Sequence, residues 1–184
     1  MDIAVRPLRA EDIPAVYAIQ MRREVLPYIL PLPSLRLEQI QSRLREPGPD
    51  MHYYVALMDG ETVGYLGMRQ FQGRGRHAGE LFLAVHPDRH GQGAGTALLR
   101  AVIDLADNWL LLERLQLSVL ETNPRAQALY ERMGFAVEGR KRGAVVSEGR
   151  YVDEILMARL RPGGLIAQAA GEPEAAAHPD DMVD

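Results

Sequence analysis

A chain of 184 residues, 47% apolar and 25% charged, suits one soluble domain with a full core. Its formal net charge of -4 argues against broad nucleic-acid binding, and the lack of any cysteine rules out disulfides, thiolate metal sites and a cysteine nucleophile. The opening residues MDIAVRPLRAED show neither a basic leader nor an apolar targeting segment, and no run reaches the roughly 18 apolar residues of a membrane span, so a cytoplasmic protein without membrane contact is expected.

Residues 3–8 read as a short first strand. Ala10, Glu11 and Asp12 then open a helix whose stripe of Ile13, Val16, Tyr17 and Ile19 runs to about Met21. Pro27, Pro31 and Pro33 forbid a regular helix across residues 26–33, which are expected to form a structured loop. Ser34 can cap a second helix, and Pro47 must end it. Residues 53–58 and 62–71 read as two strands joined at Asp59-Gly60, a strong hairpin signal. A strand over residues 77–85 follows, then a helix from about Gly93 to Leu111 expected to bury Leu98, Val102, Leu105 and Trp109. Residues 115–120 form a buried strand. Asn123-Pro124 starts a helix that stops at Gly134, and residues 135–146 and 150–160 form a closing antiparallel pair.

One domain is therefore expected over residues 1–160. Residues 161–184 are rich in Ala, Gly and Pro, with five acids against one arginine, and read as a disordered acidic tail.

The segment LFLAVHPDRHGQGAGTALL, residues 81–99, is the most informative. An apolar strand stops at His86-Pro87, and Gly91, Gly93 and Gly95 lead straight into a helix. Glycines let bare amides converge on one point, and a helix N-terminus adds a partial positive charge, which together make a nest for a phosphate-bearing ligand. No Gly-Lys-Ser/Thr follows, so this is no nucleotide P-loop, and Gly-x-Gly-x-x-Gly fails whether counted from Gly91 or from Gly93. A tight strand–helix turn with no ligand is the other reading.

A second cluster, LSVLETNPRAQALYERMGF, spans residues 117–135. Leu129 and Met133 share a core stripe, and Tyr130 is displaced from it by about 100° at the helical period, so its phenol is expected at an edge of the helix. Taken alone, Tyr130 reads as a partly buried tyrosine whose hydroxyl meets water.

In this order and spacing the two clusters resemble the GNAT superfamily, the acyl-CoA-dependent N-acyltransferases. His90-Gly91-Gln92-Gly93-Ala94-Gly95 is similar to its Gln/Arg-x-x-Gly-x-Gly/Ala loop, with His90 as the departure. Asn123, Ala126, Leu129, Tyr130, Gly134 and Phe135 match its second motif, and the likeness covers residues 2–160. Asp107 to Trp109 and EGRYVDEILMARL resemble the bacterial L-amino-acid N-acetyltransferase branch.

The resemblance implies an α/β (α+β) fold. Its mixed, mostly antiparallel sheet has six to seven strands, splays at the middle and is flanked by about four helices. It implies acetyl-CoA as co-substrate; no metal is expected, because no Asp/His/Glu grouping has metal-ligand spacing. Leu83 and Val85 would offer backbone groups to the pantetheine arm and the thioester. His90, Gly91, Gly93, Ala94, Gly95 and Thr96 would hold the pyrophosphate, and Asn123 would touch the arm near its reacting end. Tyr130 would protonate the departing thiolate, since a phenol stays protonated at neutral pH. Glu80 is the candidate base, with a solvated strand-end charge as its other reading; His77 and His86 are weaker. Acceptor choice is assigned to residues 26–33 and to the closing hairpin, and Arg22, Arg23, Arg140 and Arg142 are all available for a carboxylate.

The expected activity is acetyl transfer to the primary amine of a small molecule, an L-amino acid foremost. Rival acceptors are a protein N-terminus or lysine, a polyamine and an amine antibiotic. The rival outside catalysis is a CoA-binding module. A homodimer is one expected state.

Overall fold

Two tight turns decide how the strands pair. Asp59 and Gly60 both adopt positive φ, 52° and 83°, and so do Glu148 and Gly149, 48° and 76°. Each pair forms the two-residue loop whose twist matches that of antiparallel strands. The structure is a computed structural model and describes residues 2–170. Its strands are β1 (Ile3–Pro7), β2 (Met51–Met58), β3 (Glu61–Gln70), β4 (Ala78–Val85), β5 (Arg114–Leu120), β6 (Ala136–Ser147) and β7 (Arg150–Leu160). They form one sheet in the order β1-β2-β3-β4-β5-β7-β6. Every pairing is antiparallel except β4 with β5, which runs parallel over three pairs, Ala78–Arg114, Gly79–Leu115 and Glu80–Gln116. Beyond those pairs β4 and β5 part, so the expected splay at the middle is present.

The helices are α1 (Ile13–Gln20), α2 (Leu37–Arg45), α3 (Ala94–Asp104), α4 (Pro124–Arg132) and α5 (Leu165–Ala170). Strand alternation sends side chains to two cores. Val55, Tyr65 and Ala84 pack with Ile13, Val16, Ile19 and Ile40 of α1 and α2. Ala56, Leu66 and Leu81 pack with Leu98 and Val102 of α3 and with Tyr130 of α4. Asp12 ties this frame together. It accepts from Arg6 at 2.6 and 3.0 Å, from the Arg9 amide at 2.8 Å and from the Thr62 hydroxyl at 2.9 Å. Among the described residues no helix is long and apolar enough to cross a membrane.

Two expectations change. The helix after the glycine loop loosens at Leu105–Trp109 into a π-type turn, which rotates each residue by less than an α-helix does. Ala106 takes the buried place, and Trp109 swings outward to 76% exposure. The head of the expected tail also differs, since Leu165–Ala170 form the short helix α5. Glu113 accepts from the Arg161 guanidinium and, at 3.3 Å, from the Ile166 amide, which fixes α5 against the domain with Ala167 buried. Residues 171–184, where the rest of that tail falls, lie outside the described residues.

Candidate functional site

The parting of β4 and β5 opens a cavity of about 790 Å³ that joins both faces of the sheet. On the α3 side it is lined by Leu83, Val85 and the loop from Arg89 to Thr96; on the α1 side by Gln20, Tyr65, Glu80 and Phe82. Asn123 and Tyr130 border it from α4. The structure thus brings together the expected site residues.

Gly91 and Gly93 sit at φ 76° and 94°, conformations costly for other residues, and Gly93 is the residue before α3. The first amides of α3, at Ala94, Gly95 and Thr96, have no partner inside the helix. Gly95 packs closely, since a Cβ there would stand 3.0 Å from Leu129 Cδ2 and that side chain would have to give way. His90 enters differently from expectation. Its amide donates to the Pro87 carbonyl at 3.1 Å and its ring Nε2 bonds the Val85 carbonyl at 2.9 Å. Burial lowers the imidazole below its ordinary range, with the Arg125 and His86 charges acting in the same direction. His90 therefore braces the loop against the end of β4, and the amides left for an anion begin at Gly91.

Asn123 caps α4, its Oδ1 accepting from the Ala126 amide at 3.1 Å, which leaves Nδ2 for the cavity. Tyr130 is 5% exposed rather than at an open helix edge. The turn at Gly134 folds Phe135 back, its amide donating to the Tyr130 carbonyl, and the two rings meet edge-on at 6.0 Å. Burial pushes the phenol well above its ordinary value, so it holds its proton at any physiological pH. Glu80, at the last parallel pair, accepts from Arg69 Nη2 at 3.1 Å and remains half-exposed. Glu80, Phe82 and Ala84 share the acceptor-side face of β4. Phe82 lies over Gly67, where a Cβ would come within 2.4 Å of its ring, with the Tyr53 and Tyr65 rings edge-on to it at centroid distances of 6.4 Å.

Several lining residues escaped the sequence reading. Arg89, Arg125 and Arg132 line the cavity, and Arg125 Nη2 lies 3.8 Å from the position a Cβ would take on Gly91. Arg43 of α2 and the Lys141–Glu154 pair, 3.2 Å apart, line the acceptor side. Of the four arginines singled out earlier, Arg140 is tied to Asp153 and Glu121, and Arg22 to Glu24 and Asp88. The loop and hairpin expected to choose the acceptor do meet, through Ser147 Oγ donating to the Pro27 carbonyl at 3.0 Å.

Compared with known proteins, residues 13–135 match a family described as "Acetyltransferase (GNAT) family". The chain is 31% identical over 161 residues to the L-amino acid N-acetyltransferase AaaT of Escherichia coli K12, covering 87% of this chain and 99% of that protein. It is 26% identical over 157 residues to the spermidine N(1)-acetyltransferase of the same organism, covering 84% of each. A solved GCN5-related N-acetyltransferase from Kribbella flavida superposes with a TM-score of 0.75 at 29% identity, covering 86% of this chain and 97% of that one.

Proposed function

Because this chain belongs to the GNAT acetyltransferase family and is an acetyl-CoA-dependent acyltransferase, we propose that it acetylates the primary amine of a small molecule, an L-amino acid foremost. One observation carries the reading: the glycine nest and the acceptor-side groove open into a single cavity at the split sheet. The donor set fits coenzyme A. Free amides from Gly91 to Thr96 suit a diphosphate, and the Arg125 guanidinium lies beside that loop.

When bound, the coenzyme supplies an acetyl thioester. The backbone of Leu83 and Val85 would hold its arm and polarise the carbonyl, as charge developing on that oxygen requires a preorganised donor. Asn123 Nδ2 would steady the arm. Tyr130 holds the proton destined for the leaving sulfur, and Glu80 receives the proton that the attacking amine must lose.

Support for an amino acid comes from the likeness to AaaT and from the Arg43 guanidinium on the acceptor side, which suits a carboxylate. Carboxylates line the cavity too, at Glu24, Glu80 and Glu154, but each is paired with Arg22, Arg69 or Lys141. A polyamine, with several cations and no anion, finds no uncompensated acidic trough. The test incubates the full chain and acetyl-CoA with L-amino acids, spermidine and an alanine-initiated peptide, reading product by mass and thiol release. Amino acids are expected to give the highest kcat/KM. Faster turnover of spermidine or the peptide would replace the acceptor assignment, and no thiol release with any amine would leave a CoA-binding module.

A further inference from the structure

Gln20, the last residue of α1, is 1% exposed, yet its Oε1 has no hydrogen-bond partner. Its Nε2 donates to the Tyr65 hydroxyl at 2.5 Å. As placed, the amide gives its Nε2 hydrogen to the phenol oxygen and leaves Oε1 over. Both residues line the cavity. Tyr65 pairs across the sheet with Ala84, the residue between Leu83 and Val85. Gln20 therefore stands on the acceptor face, bonded to the residue that pairs with the stretch of β4 proposed to hold the thioester.

A buried polar atom without a partner is disfavoured, and an apolar side chain would fill the end of α1 without that cost. We propose that Gln20 Oε1 receives an N–H of the acceptor amine and that Tyr65 is the positioning residue that aims it. This rests on reading the cavity as an acceptor site, and it names the group that meets the nucleophile. An amide oxygen accepts a hydrogen bond without taking a proton, so it can hold the nitrogen while Glu80 on the same face removes the proton. A primary amine has an N–H to spare for this contact while its lone pair faces the thioester. The class is therefore primary amines, with or without a carboxylate.

The experiment uses the full chain as wild type, Tyr65→Phe and the double variant Gln20→Met with Tyr65→Phe. The double variant removes the pair together and leaves no new orphan. Steady-state kinetics use whichever of L-leucine, L-phenylalanine and spermidine turns over fastest, with CoA affinity by calorimetry and Tm measured alongside. The amine KM of the double variant is expected to rise about tenfold, with CoA affinity held within about twofold and Tm equal to or above wild type. Tyr65→Phe alone should raise the amine KM less, in the same direction. An unchanged amine KM in both variants, with coenzyme binding intact, would overturn this proposal alone. So would a Tm loss that accounts for the change by weakening amine and CoA binding together. A wild type that takes up no CoA would overturn the transferase reading as well.

Discussion

Glu80 faces Gln116 in the last parallel pair between β4 and β5, so the carboxylate stands where the sheet begins to open. From there it reaches the acceptor side of the cavity while Arg69 holds it from β3. Replacing it with glutamine keeps the shape and removes the proton acceptor. Glu80→Gln is expected to lower kcat by about 100-fold with CoA affinity retained. Turnover near wild type in a stopped thiol-release assay would return Glu80 to the role of a strand-end charge.

Tyr130→Phe removes one oxygen from a ring already packed on Phe135. Folding and CoA binding should persist, while kcat drops about 100-fold or more, the loss expected when a positioned acid is removed. Calorimetry and kinetics on the same preparation separate the two effects. Equal kcat would take Tyr130 out of the proton path.

Arg125 reaches over the glycine loop from the first turn of α4. Arg125→Gln should weaken CoA about tenfold and flatten the dependence of affinity on salt, because one charge-assisted contact is lost. Acetyl-pantetheine, which lacks the diphosphate, should bind both proteins alike. A drop for that compound too would point to distortion of α4.

Asp12 is expected to contribute to acid stability. Burial works to raise its carboxyl, but the Arg6 guanidinium, the Arg9 amide and Thr62 together hold it below its ordinary value. A carboxyl lowered on folding contributes its full stabilisation above the unfolded pKa of about 4 and loses it as pH falls through the lower folded value. Urea unfolding should therefore show stability declining below about pH 4. Asp12→Asn should cost about 2–3 kcal/mol at pH 7 and flatten that decline. A parallel pH profile in the variant would assign the acid sensitivity elsewhere.

Local rules made much of this molecule legible. Asp59-Gly60 requires a positive-φ hairpin, Asn123-Pro124 caps a helix, and the spacing of Gly91, Gly93 and Gly95 points to an anion nest, because each effect acts within a few residues. Tyr130 showed its place on α4 but not its burial, which depends on Phe135 folding back after Gly134. Gln20, Arg43 and Glu154 carried no local signal. They meet only because α1, α2 and β7 converge on the split, across separations of more than 100 residues between Arg43 and Glu154. Trp109 was misplaced because a π-type turn leaves no mark in apolar periodicity.

The grip of Glu113 on Arg161 and on the start of α5 bears on where this protein can be cut. A version ending at Leu160 would keep all seven strands, yet it would strand an acid at the foot of β5 and bare the surface beneath Ala167. A shortened version therefore has to keep α5, which ends ten residues past the last strand.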